Sequence, residues 1–361
     1  MKSKENHYCN LPQMPTRSFE AGMNPMRMEA IVTMAKKWVN GTILKYCFFE
    51  GDSFFTRVTD NIGNQRKNLW EGTAAERNAV KEAFKKWKDL GIGLGFEETS
   101  DKLEAHIRIG FAKGEGAWSY IGRDSWTISK QQRTMNFGWD IVNDEDTILH
   151  EIGHAVGLPH EHQNPNAGIV WNEDAVYNEL ASSPNFWSRE KTFHNIIRKI
   201  NSDTVQGSSW DPNSIMHYPF GPGLINSPAE YKNGLTPNGG LSGRDISWVK
   251  QFYPKIDKRT FLTIKPFHSE VISLDAGEQE NFEFTPEETR SYTIQTFGNM
   301  DTVMVLSEMV NDERVYVSGD DDSGEERNSH IKLKLIKERK YMINLRLYFK
   351  TSSGDTCVMV W

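Results

Sequence analysis

Four of the ten histidines in this 361-residue chain lie within thirteen residues, from His150 to His162. The acidic run Asn143–Asp146 just before them is typical of a helix N-terminus, where free N–H groups and the helix dipole favour negative charge. We therefore predict a helix that begins at this run. It would carry His150 and His154 side by side, because residues four apart project from one face. The other side of this helix would face the core, since it is lined by Ile148, Ile152, Ala155 and Val156.

Gly157 and His160 extend this pattern into a metal-binding motif. Gly157 predicts the end of the helix, because a residue without a side chain can take a positive φ and turn the chain so that His160 returns as a third ligand. Three neutral imidazoles suit one Zn²⁺ and leave a fourth position open for water, as in catalytic zinc sites. Glu151 would lie beside that water as a general base, which predicts hydrolysis of peptide bonds.

The alternative interpretation of this segment is a helix whose surface histidines are satisfied by solvent. A short H-E-x-x-H pattern occurs by chance, but the glycine and the third histidine specify five positions in eleven residues. We therefore prefer the metal site.

A second motif, Ser214–Tyr218, lies more than fifty residues downstream and contains a methionine in a short apolar turn. A long zinc motif followed by such a turn defines the metzincins, and Ser-x-Met-His-Tyr resembles the astacin family in particular. The resemblance covers roughly residues 36–255. Further stretches resemble the family in the same order: Trp38–Ile43, Trp118–Gly122, Val170–Asn172 and Leu241–Ile246.

The resemblance implies a role for each matching residue. His150, His154 and His160 would bind one catalytic zinc, with Tyr218 as a further ligand in the resting site and Met216 as the apolar floor below it. Glu151 would be the general base, and Tyr218 would also donate a hydrogen bond to the oxyanion. The cleft edge that holds the substrate as an added strand would consist of Ala117, Trp118, Ser119 and Tyr120. We interpret His162 and His217 as neighbours of the site with structural roles.

The chain divides into three predicted regions: an N-terminal extension or pro-segment at 1–35, an astacin-like metalloprotease domain at 36–257, and a β-sandwich accessory domain at 258–361. The fold class is therefore an α+β zincin of the metzincin type followed by an all-β, jelly-roll-like sandwich. The second part rests on nine short alternating runs after Tyr253–Pro254, separated by turn residues. It resembles the pre-peptidase C-terminal domains of bacterial peptidases.

Three features of the sequence depart from the family pattern. Only three cysteines occur, and Ala117 stands where a cysteine is usual, so we expect a fold without disulfides. Cys9 could supply a thiolate to the zinc of a latent form, but we prefer an incidental cysteine. Phe49–Asp52 imitates an aspartate switch, yet it follows the first strand, so we interpret it as a coincidental turn. The acidic run Asp320–Asp322 suggests a Ca²⁺ site, but a solvated turn is preferred.

Composition limits the remaining function classes. A formal net charge of −7 argues against nucleic acid as a partner, and no apolar run is long enough for a membrane span or a standard signal peptide. We expect a monomer that acts on proteins or peptides and is secreted or translocated by a non-classical route, with a cytoplasmic location as the alternative. The competing hypothesis is an inactive zincin scaffold that binds or adheres through its β-domain. Glu151 argues against it, because a scaffold needs no base beside a zinc site.

Overall fold

The computed structural model describes residues 8–14, 38, 42–59, 63–200, 209–253, 255, 261–311, 313–321, 323–349 and 351–361. Contacts divide the chain into two compact units, one of residues 1–38 and 43–255 and one of residues 39–42 and 256–361. Among the described residues, no helix has the length and apolar character needed to cross a bilayer.

The first unit is built around a five-stranded sheet and a separate hairpin. The strands in chain order are β1 (Ile43–Phe48), β2 (Phe55–Thr59), β3 (Gln65–Leu69), β4 (Gly95–Glu98), β5 (Ile107–Gly110), β6 (Trp118–Ser119) and β7 (Met135–Asn136). The hairpin is β2–β3, and the sheet order is β4-β1-β5-β7-β6. Its first four strands run parallel, whereas β6 is antiparallel to β7. The predicted cleft strand is therefore an edge strand.

Two long helices cover this sheet. Helix α1 (Ala74–Asp89) begins with a capping box of Thr73 and Glu76, which the spacing Thr73-x-x-Glu76 predicts. Helix α2 (Glu145–Ala155) carries the first two clustered histidines. Their apolar faces and the sheet share one core, in which Trp87, Ile109 and Ile152 are at most 1% exposed. Burial of such faces, more than helix propensity, stabilises the helices.

Several further elements of the first unit surround a second apolar cluster. They are β8 (Val170–Trp171), α3 (Glu173–Ala181), α4 (Arg189–Thr192), a π-helical turn at Phe193–Ile197 and β9 (Ile225–Ser227). The last helix, α5 (Gly243–Phe252), instead packs on the first core through Val249. The second cluster also contains Tyr8, Cys9 and Leu11 from the N-terminal segment. Residues 8–11 are thus part of the folded unit, whereas the rest of the predicted 1–35 extension lies largely outside the described residues.

The alternation of apolar and polar residues at 105–111 predicts a half-buried strand with His106 on its polar face, and β5 differs from this prediction. All four of its residues are buried, because it is an internal strand of a parallel sheet whose two faces are covered. The neighbouring His106 does not face solvent but is 3% exposed, and its Nδ1 accepts a 3.0 Å hydrogen bond from Lys45 N. Arg108 is fully buried, and its guanidinium donates to backbone carbonyls that include those of Gln132 and Ala105.

In the described part of the second unit, nine strands form two sheets around one core, which confirms the predicted β-sandwich. The strands are β10 (Leu262–Thr263), β11 (Ser269–Leu274), β12 (Gln279–Phe284), β13 (Arg290–Phe297), β14 (Thr302–Val310), β15 (Glu313–Asp320), β16 (His330–Leu335), β17 (Tyr341–Leu347) and β18 (Gly354–Val360). The sheet orders are β10-β12-β17-β14-β15 and β11-β18-β13-β16. In the acidic turn at the end of β15, Asp320 Oδ2 accepts hydrogen bonds from the Ser323 and His330 amides. The resemblance of this unit to pre-peptidase C-terminal domains stays a prediction.

Candidate metal centre and cleft

Helix α2 positions the first two histidines as predicted. Asp144 caps its N-terminus by accepting from the Thr147 amide. The helix ends at Ala155, and Gly157 has a φ of +106°, which places it in the region that favours glycine. The chain turns there, so the ring of His160 approaches His154, with 3.1 Å between their Nε2 atoms.

Backbone carbonyls fix how the imidazoles are oriented. His150 Nδ1 lies 2.7 Å from Ile215 O, and His154 Nδ1 lies 2.7 Å from Leu158 O. Because a carbonyl oxygen only accepts, each Nδ1 carries the proton, and the lone pair of each Nε2 faces the centre of the cluster. This second hydrogen bond is the arrangement that orients metal-binding histidines.

Burial keeps these side chains uncharged. It lowers the pKa of His150 to about 4, and burial followed by the neighbouring imidazoles lowers the pKa of His154 and of His160 well below the usual value. Neutral imidazole is the form that binds a metal. Burial also raises the pKa of Glu151 to about 8.

The buried atoms fit a metal ion. Among the described residues, His150 Nε2 and Glu151 Oε1 are buried without a hydrogen-bond partner, although buried polar atoms are nearly always paired. One ligand atom from each of Cys9, His150, His154 and His160 lies within 4.8 Å of the others. Imidazole nitrogen and thiolate sulfur are both ligands that zinc prefers, so this group could hold such an ion.

The position of Cys9 corrects the sequence interpretation, in which this cysteine was incidental. Cys9 is 5% exposed, and its Sγ lies 3.5 Å from Glu151 Oε2. Burial, and next the negative charge of Glu151, raises the pKa of the thiol. All three cysteines are free. Asp52, by contrast, lies in an exposed turn after β1, as expected for a coincidental match.

The residues predicted to contact substrate lie along the same segment of chain. The carbonyl of Ala117, just before β6, accepts a 3.0 Å hydrogen bond from the Asn10 amide. Trp118 and Ser119 form β6 itself, and Tyr120 follows it. The Tyr218 hydroxyl donates to Cys9 O at 2.7 Å and lies 2.5 Å from His160 Nε2. The structure therefore places Ala117 and Tyr218 in contact with residues 9 and 10.

The other two histidines have structural contacts. His162 is 1% exposed, and its Nε2 lies 2.9 Å from Asn195 O. His217 Nδ1 lies 2.8 Å from Tyr218 O, and its ring packs on Trp210. Neither belongs to the group of ligand atoms around Cys9.

Asp245 is a residue of the site that the sequence motifs did not reveal. Its carboxylate accepts from Ser214 Oγ at 2.6 Å and from Ile215 N at 2.8 Å, directly before Met216. It also completes the capping box of α5 by accepting from Ser242 N at 2.9 Å. The pattern Ser242-x-x-Asp245 signals the cap, but the contact with the methionine turn is not local in sequence. One carboxylate thus joins α5 to the turn below the histidines.

Replacing Asp245 by alanine should lower the free energy of unfolding of the first unit by about 3 kcal/mol, because it leaves buried donors without an acceptor. Urea denaturation followed by tryptophan fluorescence reports this unit, which holds ten of the eleven tryptophans. The matched control is Asp174→Ala, because Asp174 is an exposed carboxylate in the first turn of α3. This substitution should change the free energy of unfolding little. Equal stabilities of the two variants would contradict this role.

Part of the first unit is similar to a known peptidase family. Residues 69–221 match the profile of the peptidase family described as "Astacin". These residues form an astacin-family domain. In the Haemonchus contortus protein "Zinc metalloproteinase nas-36", 27% of 182 aligned residues are identical, over 50% of this chain and 24% of the relative. For "Protein SpAN" of Strongylocentrotus purpuratus the identity is 31% over 196 residues, covering 50% of this chain and 29% of the relative.

The solved structure of myroilysin is similar over more than half of this chain. It superposes with a TM-score of 0.52 and 28% identity, over 62% of this chain and 98% of that chain. This chain thus spans less than a third of the length of the two curated relatives but nearly all of myroilysin. The astacin-type metzincin fold predicted from the histidine and methionine motifs is confirmed.

Proposed function

We propose that the chain is a zinc-dependent endopeptidase of the astacin type that hydrolyses peptide bonds in proteins. The observation that carries this proposal is the convergence of three histidine side chains beside Glu151, on a helix that contacts the edge strand β6. Three imidazoles, a carboxylate and an edge strand are what this reaction needs in one place: ligands, a base and a holder for the peptide.

His150, His154 and His160 would hold the zinc through their Nε2 atoms. When bound there, zinc would polarise the substrate carbonyl and lower the pKa of a water molecule. Glu151 follows His150 directly on α2, and its carboxylate is fully buried beside the cluster. In this position it can accept a proton from the attacking water and deliver it to the leaving amine.

Tyr218 is suited to stabilise the oxyanion. Its hydroxyl already donates to a peptide carbonyl, that of Cys9, at 2.7 Å. A donor held where negative charge develops lowers the barrier of acyl transfer. Its 2.5 Å distance to His160 Nε2 also supports the proposed role as a further metal ligand in the resting state.

The described N-terminal segment supports a self-inhibited form. Cys9 places its thiol among the three imidazoles, and the Asn10 amide donates to the carbonyl of Ala117, directly before the edge strand. We propose that residues 8–14 occupy the place of substrate and that Cys9 closes the fourth ligand position. This extends the prediction that residues 1–35 form a pro-segment.

The closed set of one cysteine and three histidines also favours the alternative of a scaffold, because structural zinc sites have four protein ligands. The two functions differ in the effect of removing Cys9. A protease becomes active when this ligand is lost, whereas a structural site loses stability and gains no activity.

Metal removal tests the proposed function. We expect about one zinc per chain by elemental analysis. In the Cys9→Ala variant, which lacks the proposed block, chelation should abolish peptide hydrolysis. Added Zn²⁺ should restore hydrolysis, and added Ca²⁺ should not. His150→Ala should lower the zinc content, whereas His268→Ala, in the second unit, should not. Activity that survives complete loss of zinc would contradict the proposal.

A further inference from the structure

Tyr8, directly before Cys9, fills an aromatic recess in the first unit. Its side chain is 3% exposed. Its ring centroid lies 5.3 Å from that of Tyr218, 5.9 Å from that of Phe220 and 6.2 Å from that of Trp187. The Phe220 ring is stacked on it, and the other two meet it edge to face. We call these three walls the aromatic recess.

The backbone around Tyr8 is held at several points. Tyr8 N donates to Asn185 Oδ1 at 3.3 Å, and Leu11 N donates to Asn195 Oδ1 at 3.0 Å. Between them lie the contacts of Cys9 O with Tyr218 and of Asn10 N with Ala117 O. The segment therefore uses the same hydrogen-bonding groups that are proposed to hold a substrate.

The recess lies next to the histidine cluster at which peptide hydrolysis is proposed to occur. Cys9 lies at the histidine cluster, and Tyr8 directly precedes it in the chain. The recess therefore holds the side chain of the residue next to the one at the metal ligands. Tyr218 belongs to both places, since its ring forms one wall and its hydroxyl binds the Cys9 carbonyl. A peptide that replaces the segment would place one of its side chains in this recess.

We propose that the aromatic recess is a specificity pocket that selects Phe, Tyr or Trp within two residues of the cleaved bond. This inference rests on the proposed function. Three aromatic walls in stacked and edge-to-face geometry favour an aromatic occupant over an aliphatic one. An aromatic side chain also buries about 150–250 Å², so its burial would dominate the binding free energy of a short peptide segment. Tyr8 in the self-inhibited chain imitates the side chain that the pocket selects.

Cleavage profiling on a peptide library tests this specificity. The full-length chain with Tyr8→Ala and Cys9→Ala, which empties the recess, should cleave with aromatic residues enriched at least fivefold at one position within two residues of the cut. Adding Trp187→Ala should reduce the enrichment to less than twofold. Phe193→Ala is the matched control, because Phe193 is 49% exposed on the turn that follows α4; it should keep the enrichment.

A second measurement does not depend on Trp187 or on activity. In the intact chain, Tyr8→Ala should raise the rate of Cys9 alkylation at least tenfold, measured by peptide mass mapping, whereas Tyr8→Phe should stay within threefold of the unmodified chain. An unchanged rate for Tyr8→Ala overturns the proposal. So does cleavage without aromatic enrichment, or enrichment that survives Trp187→Ala, and both of these leave the proposed endopeptidase function standing. If the zinc-loaded chain with Tyr8→Ala and Cys9→Ala cleaves nothing, that function is contradicted.

Discussion

In the chain freed of its block by Cys9→Ala, substitution of Glu151 by glutamine should lower kcat/KM for peptide hydrolysis by about 10³-fold, since a positioned general base contributes about 10² to 10⁴. Glutamine has the size of glutamate but cannot take up the proton. Because Glu151 is not among the four ligand donors, the zinc content should stay at that of the unmodified chain. Steady-state kinetics and elemental analysis on the same preparation measure both quantities.

The matched control for this variant lies on the same helix. Glu145 is in the first turn of α2, its side chain is 50% exposed, and it pairs with Lys86 at 2.6 Å. Exposed ion pairs contribute little to stability, so Glu145→Gln should keep activity within about twofold. Retained hydrolysis in Glu151→Gln would assign the base to another group.

Substitution of Cys9 by alanine should activate the intact chain by about tenfold or more. The change removes a proposed metal ligand and the thiol contact with Glu151, and each 1.4 kcal/mol of lost binding shifts an equilibrium about tenfold. The segment would then leave the cleft for a larger fraction of the time, so more molecules could bind substrate. Initial rates on a denatured protein substrate measure this.

Cys357→Ala is the control for thiol loss, since Cys357 lies on β18 of the second unit. It should leave the rate of the intact chain unchanged. Lower stability of Cys9→Ala without any gain of activity would instead favour the structural zinc site of a scaffold. That result would also remove the basis for the self-inhibited form.

The elements that were predictable from sequence depend on local patterns. The helix of His150 and His154, its end near Gly157 and the capping box of α1 each depend on residues within a few positions of one another. The nine strands of the second unit were predictable because alternation and turn residues are also local. His160 was predictable from the same local motif, whereas the role of Tyr218 followed from the resemblance to the family.

The features that sequence reasoning missed depend on contacts distant in the chain. Cys9 lies 142 positions from Glu151, and Tyr8 lies more than 200 positions from two walls of its recess. A single cysteine in a polar segment carries no pattern that marks such a contact. The burial of β5 was misjudged for a related reason: alternation does not reveal that elements distant in sequence cover the second face.

The most direct test of the account compares Cys9→Ala with the double variant Cys9→Ala and Glu151→Gln on a denatured protein and a peptide library, with zinc measured in both. The account predicts equal zinc, cleavage of peptide bonds by the first protein, and a loss of about 10³-fold in the second. No cleavage by zinc-loaded Cys9→Ala, or equal cleavage by both proteins, would contradict it.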